Sequence, residues 1–129
     1  MKWTIQSAEG NDFIKVNLEG DFSVSELPQT LRELFSRADW KPGKPVLFDD
    51  TKLILTNTDL DEIRKSSQLY SEYAANYGDS KIAVLAGSLT DFARGRQFEL
   101  LARNKVKVNI QIFLKEEEAV NWLNSQQSE

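Results

Sequence analysis

The chain has 129 residues, with 16 basic and 20 acidic side chains and a net charge of −4. That length suits one ordinary domain with a real core, and the acidic balance weighs against a nucleic-acid binder, which usually carries a basic field. The chain has neither cysteine nor histidine, which removes disulfides, thiol nucleophiles, zinc–thiolate sites, and both the commonest neutral-pH base and the commonest transition-metal ligand.

A catalyst built from this alphabet has to lean on carboxylates, lysine, tyrosine or arginine. The expectation is therefore a protein that is not an enzyme and holds no cofactor or metal. No stretch approaches the roughly 20 apolar residues that span a bilayer. The segment Met1 to Ser7 lacks a secretory apolar region, which points to the cytoplasm.

Trp3 and Ile5 alternate with Lys2, Thr4 and Gln6, and Ile14, Val16 and Leu18 alternate with Lys15, Asn17 and Glu19. With the turn residues Glu9 to Asp12 between them, the two runs predict an antiparallel hairpin. Ser23 and Glu26 have the spacing of a capping box, and Leu27, Leu31, Leu34, Phe35 and Ala38 form one helical stripe behind it. After the loop Lys41 to Pro45, the wholly apolar Val46-Leu-Phe48 predicts a buried strand ending at the acidic pair Asp49-Asp50.

The next helix is expected to open at Thr58, with Asp59 and Asp61 suiting its dipole. Leu60, Ile63, Ser67, Tyr70, Ala74 and Tyr77 mark its inner face, Leu69 and Tyr73 its margins, and Gly78 its left-handed C-cap. Lys81 to Gly87 is a continuous apolar run closed by glycine, the pattern of a strand buried on both faces. Gly87 allows a sharp exit, and Ser88 or Thr90 can cap a helix running roughly from Leu89 to Asn104. Val106 to Ile112 alternates as an edge strand does. A last helix from Glu116 to Asn124 carries Ala119, Trp122 and Leu123 inward, and Ser125 to Glu129 is a polar tail.

The expected order is β-β-α-β-α-β-α-β-α. It is an α/β fold of one domain (residues 1–124), with a mixed sheet, an N-terminal antiparallel hairpin, parallel βαβ units and helices on both sides.

Several strings carry a likeness beyond this pattern: Val46-Leu-Phe-Asp49, Lys81-Ile-Ala-Val84, Gly95-Arg-Gln-Phe-Glu-Leu-Leu-Ala102 and the run Ile112 to Leu123. With the element order, they resemble the STAS domain (sulfate transporter and anti-sigma-factor antagonist), in particular its stand-alone branch akin to the sporulation anti-sigma-factor antagonist. The resemblance implies protein–protein signalling, as in the classical members, or apolar-ligand binding, as in relatives of the stand-alone branch. It also implies a phosphorylatable hydroxyl after an aspartate at the start of the helix following the third strand. Here that place holds Asn57-Thr-Asp-Leu60, so Thr58 is the phosphoacceptor candidate, with asparagine in place of aspartate and no glycine behind it.

Four sites follow from the residues. Thr58 is either a modified hydroxyl or a simple helix cap. Asp49 and Asp50 close a strand at the edge where α/β sheets hold ligands; lysine and further aspartates to complete a magnesium site are missing. Gly87-Ser88, followed by Arg94 and Arg96, makes a candidate anion seat without a nucleotide fingerprint. Finally, the Tyr70, Tyr73, Tyr77 stripe and a helix apolar on two sides (Leu89, Ala93 and Leu100 against Phe98, Leu101 and Ala102) mark a face for a partner or ligand, unless they pack against a neighbouring helix.

Two functions lead, with a hydrolase or phosphatase resting on Asp49 and Asp50 alone as a third. One is a non-catalytic module binding a protein partner or itself through the helices around Thr58 to Tyr77 and Leu89 to Leu101. The other is a carrier of a small apolar or lipid-like ligand, favoured by Tyr70, Tyr73, Phe92, Phe98 and Trp122.

Overall fold

The computed structural model describes residues 1–103 and 109–125. Its elements are β1 (Lys2–Ser7), β2 (Ile14–Asp21), α1 (Leu27–Phe35), β3 (Val46–Ile54), α2 (Leu60–Glu72), α3 (Ala74–Tyr77), β4 (Ile82–Leu85), α4 (Leu89–Arg103), β5 (Ile110–Phe113) and α5 (Glu116–Asn124). The strands form a single five-stranded sheet in chain order, β1-β2-β3-β4-β5. The first pair is antiparallel and the remaining three are parallel.

That order dictates the layers. Each parallel connection steps one strand in the same direction, and such crossovers are right-handed, so α1, α2 and α4 must share one face. The packing agrees: Leu31, Leu34, Tyr70, Tyr77 and Ala102 form one core with Val46, Phe48, Ile82, Ile110 and Ile112. The opposite face of the sheet offers Leu47, Ala83, Leu85 and Phe113, and α5 covers them with Ala119 and Leu123. Ile82 to Ala86 is therefore an interior ribbon with a helical layer on each side, as its unbroken apolar run requires.

Local predictions fared unevenly. The hairpin, the β4–α4–β5 unit and α5 are present as expected. Ser88 does cap α4, its Oγ accepting from the Asp91 amide at 3.1 Å. The capping box before α1 does not form: Glu26 holds the cap position without a side-chain capping bond, and Ser23 Oγ lies 3.0 Å from Ser25 Oγ instead. Pro28 occupies the first turn, and its ring already fixes the backbone angle that a cap would otherwise help select.

The helix expected from Thr58 to Tyr77 is two helices broken at Tyr73. Its cap is Asp59, not Thr58, with Asp59 Oδ1 accepting from the Glu62 amide at 2.9 Å. Leu60, placed on the inner face by spacing, is exposed; it is the first residue of the helix. Gly78 has φ +63° and ψ −129°, a region open only to glycine, where a Cβ would meet Pro42 at 3.0 Å. Of the strand expected over Val106 to Ile112, the first three residues lie outside the described segments, as does most of the polar tail.

Candidate functional site

β3 departs most from expectation, and the departure builds the site. The apolar run ends at Asp49-Asp50, yet the strand continues to Ile54. In its pairing with β2, Asn17 faces Asp49 and Glu19 faces Lys52, so Asp50 and Thr51 together oppose Leu18 alone. One extra residue on one strand is a β-bulge, which bends the strand and re-aims its side chains. Val46, Phe48 and Asp50 point to the α1–α2–α4 side; after the bulge the parity slips, and Leu53 returns to that same core. β4 ends beside Asp49, so from there β3 runs on paired, among the described residues, with β2 alone.

Gly87 fixes this place. A Cβ there would lie 2.8 Å from the Thr51 carbonyl oxygen, closer than real side chains come. Its φ is not positive, so glycine serves close approach here: the chain leaving β4 presses directly onto the bulge. Gly95 serves the same end one helix on, since a Cβ there would meet Ile112 at 3.0 Å.

Between the sheet and the α1, α2 and α4 layer lies a cavity of about 150 Å³. Its walls are overwhelmingly apolar, with Phe48, Ile63, Tyr70, Val84, Phe98 and Ile112 representing each layer. Its polar lining is Asp50 from the bulge, Thr58 before α2, Ser66, Tyr70 and Tyr77, and Asp91 and Arg94 from α4. Among the described residues, three buried side-chain oxygens lack a hydrogen-bond partner: Thr30 Oγ1, Ser71 Oγ and Asp50 Oδ1. Only that of Asp50 belongs to a residue lining the cavity. Burial, with smaller contributions from the neighbouring charges of Asp49 and Asp91, pushes the Asp50 carboxyl up to about 8.

Asp49 behaves in the opposite way. It faces the other side of the sheet, where its Oδ1 accepts from the Thr51 amide at 3.0 Å and the Thr51 hydroxyl at 2.6 Å. Its Oδ2 lies 3.6 Å from Lys15 Nζ. Burial pulls this carboxyl upward, but the Thr51 bonds and then Lys15 outweigh it, and the net shift is downward. The expected acidic pair is thus two separate carboxyls on opposite faces, mid-strand rather than at a strand end, and they form no joint ligand set. Among the described residues no group of three or more acidic side chains is placed to hold a metal.

The other expected sites distribute as follows. Thr58 is half-buried at the cavity wall, its amide donating to Leu55 O at 2.9 Å; the capping role assigned to it belongs to its neighbour. Arg94 and Arg96 do not converge on Gly87-Ser88. Arg94 Nη1 lies 3.4 Å from Asp91 Oδ1, and Arg96 Nη1 lies 3.1 Å from the fully buried Glu99.

The tyrosine stripe turns inward. Tyr70 and Tyr77 stack with ring centroids 4.9 Å apart, and Phe35 meets Tyr77 edge-on at 5.0 Å and Tyr73 at 5.6 Å. Burial pushes the Tyr70 hydroxyl up to about 12. Phe98 reaches the cavity, and Phe92 packs on the core beside it. Trp122 lies on the opposite face against Phe113. Leu89 at 74 % exposure, Leu100 at 55 % and exposed Ala93 lie on the outside of α4, uncovered among the described residues.

Two arrangements escaped the sequence. Asp91 is not singled out there; its spacing of three from Arg94 was the available hint of a shared face. Lys81, read as the first residue of a strand, donates from Nζ to Trp122 O at 3.0 Å and to Ser125 O at 2.7 Å, closing the end of α5.

No family profile and no curated protein matches the chain. Among solved structures, it is similar to an uncharacterised protein of the DUF3478 family from Shewanella loihica PV-4, described as having a SpoIIAA-like fold. The TM-score is 0.58 and the identity 13 %, covering 95 % of this chain and 92 % of that one. Element order, sheet topology and this likeness agree: the chain has the SpoIIAA-like, STAS-type α/β fold.

Proposed function

We propose that the protein is a non-catalytic module that holds a small apolar ligand between its sheet and its three-helix layer. The supporting observation is the cavity itself, a space of about 150 Å³ whose walls come from the sheet and the helices over it. Close-packed interiors seldom leave such a void, and an apolar cavity of about this size is large enough for a benzene-sized guest. A binder fits the composition better than a catalyst does, since the chain has no histidine or cysteine to activate a nucleophile or shuttle a proton.

Titration with toluene, followed by methyl NMR, tests the reading. The methyls of Ile63, Ile82 and Ile112 should shift together and saturably, and a cavity-filling Val84→Phe variant should lose the response while melting at a higher temperature. Unmoved methyls in the wild-type protein would refute it.

A second reading, an interaction module for a protein partner or a second copy, is favoured by one feature: the Leu89, Ala93, Leu100 stripe facing outward from α4. Sedimentation and cross-linking of wild type against a Leu89→Ser, Leu100→Ser double variant decide it, since loss of association in the variant is required.

No helix among the described residues is long and apolar enough to cross a membrane. Either activity is therefore proposed without a helical membrane anchor in those residues.

A further inference from the structure

We propose that the cavity selects a small primary ammonium compound, an apolar ring or short chain bearing one –NH₃⁺, with Asp50 as its counter-ion. The assignment rests on the cavity being a ligand site and names the chemistry that site takes.

The first argument is the orphaned oxygen. Asp50 Oδ1 is closed to solvent and unpartnered, and Asp50 lines a cavity whose other walls are mostly carbon. Asp50 as a residue is half-buried, but this oxygen is shut off without a partner; such an atom calls for a donor, and an ammonium offers three, with a charge.

The second is the charge around it. Among the described residues Arg94 is the one basic side chain in the lining, and it is already matched with Asp91 at 3.4 Å. Asp49 is adjacent in sequence but turned to the other face, where Lys15 balances it at 3.6 Å. Thr58, before α2, contributes a neutral hydroxyl. An ionised Asp50 therefore leaves the cavity one negative charge in excess, and a monovalent cation brings it to zero. A carboxylate or phosphate head would instead set a further anion beside Asp50 and Asp91, with no unmatched cation among the described lining residues to meet it. A neutral hydroxyl would satisfy Oδ1 and nothing more.

The volume limits the rest of the molecule. A dry cavity of comparable size accepts benzene, so about 150 Å³ takes a phenyl ring or a short chain and not a long acyl tail.

The assignment carries a pH signature. In the empty site the carboxyl holds its proton up to about pH 8, so binding an ammonium at lower pH must expel that proton. The affinity then rises about tenfold per pH unit below 8 and levels off above it, until the amine itself deprotonates near its ordinary value of about 10.

Isothermal titration with 2-phenylethylamine, 2-phenylethanol and 3-phenylpropanoate tests this on wild type and Asp50→Asn between pH 6 and 8. The amine should bind tightest to wild type and gain about tenfold from pH 6 to pH 7. It should release close to one proton per bound molecule, measured by repeating the titration in buffers of different ionisation heat. In Asp50→Asn, with folding checked by its melting curve, the amine should bind no better than the alcohol. Alcohol or acid binding as tightly as amine, an affinity flat with pH, or an amine preference that survives Asp50→Asn overturns the assignment alone. Silence from all three compounds removes the cavity as a ligand site, and the assignment with it.

Discussion

Asp49 and Asp50 show how much one peptide step can change a side chain's chemistry. Both are aspartates on one strand, yet Asp49 is held below the usual carboxylate range by Thr51 and Lys15, and Asp50 is pushed up to about 8 by burial. The raised value has a definite consequence for stability. Unfolding returns Asp50 to water, where its pKa is about 4, so between those values the unfolded chain binds fewer protons than the folded one. Folded stability from this group therefore falls as pH rises through that window and stops falling above about 8. Asp50→Asn removes the dependence, so its stability relative to wild type should climb between pH 5 and 8. The expected slope is about 1 kcal/mol per unit, a little below the limit for one whole proton. Urea melts of both proteins at four pH values check this, and parallel curves would refute it. The pair itself was legible in the sequence. The opposite fates of its members were not, because the apolar run stops before this pair, and it is the continued pairing with β2 that keeps them in a strand, where neighbours face opposite sides.

At the scale of elements, the sequence was most informative where burial imposes a period. The unbroken run at Ile82 to Leu85, the hairpin alternation and the stripe of α5 all follow from which faces must leave water, and all are present. Capping was less legible. Ser23, Thr58, Asp59 and Ser88 are all chemically fit to cap, and the choice between neighbours such as Thr58 and Asp59 is made by where the first turn meets the sheet. The rotation of α4 was hidden for another reason. Its apolar residues point both ways, and spacing alone does not say that Leu89 and Leu100 are the ones left outside.

Two predictions belong here. Leu89→Ser and Leu100→Ser should each change stability by no more than about 0.5 kcal/mol, because neither side chain leaves a core; a larger loss in a thermal melt would mean these positions are covered in solution. Gly87→Ala should cost about 1–3 kcal/mol, the usual range for an overpacked contact. Its Cβ falls 2.8 Å from the Thr51 carbonyl, a backbone atom that cannot swing aside. Because the strain enters at the bulge, this variant should also weaken whatever the cavity binds, and unchanged binding would separate Gly87 from the site.

For the whole molecule, the layers are unequal. Among the described residues, α1, α2, the short α3 and α4 lie over one face of the sheet, and α5 alone covers the other, resting on Leu47, Ala83, Leu85 and Phe113. That face depends on few side chains, so Leu123→Ala should cost about 2–5 kcal/mol, as deletions in tight cores do. The measurement is a denaturant midpoint with an unchanged slope; a shift under about 1 kcal/mol would show that α5 is dispensable. The Lys81 ammonium, seated against Trp122 O and Ser125 O, secures the far end of this helix to the start of β4.

The strand order, which runs 1 to 5 without a skip, also bears on how the chain assembles. Each ribbon joins the one made just before it, so every new pairing closes the shortest loop available and no late partner is inserted between ribbons already joined. Loop-closure entropy is then met in small steps. Such a chain can grow its sheet outward from the hairpin by successive addition, much as a zipper closes from one end.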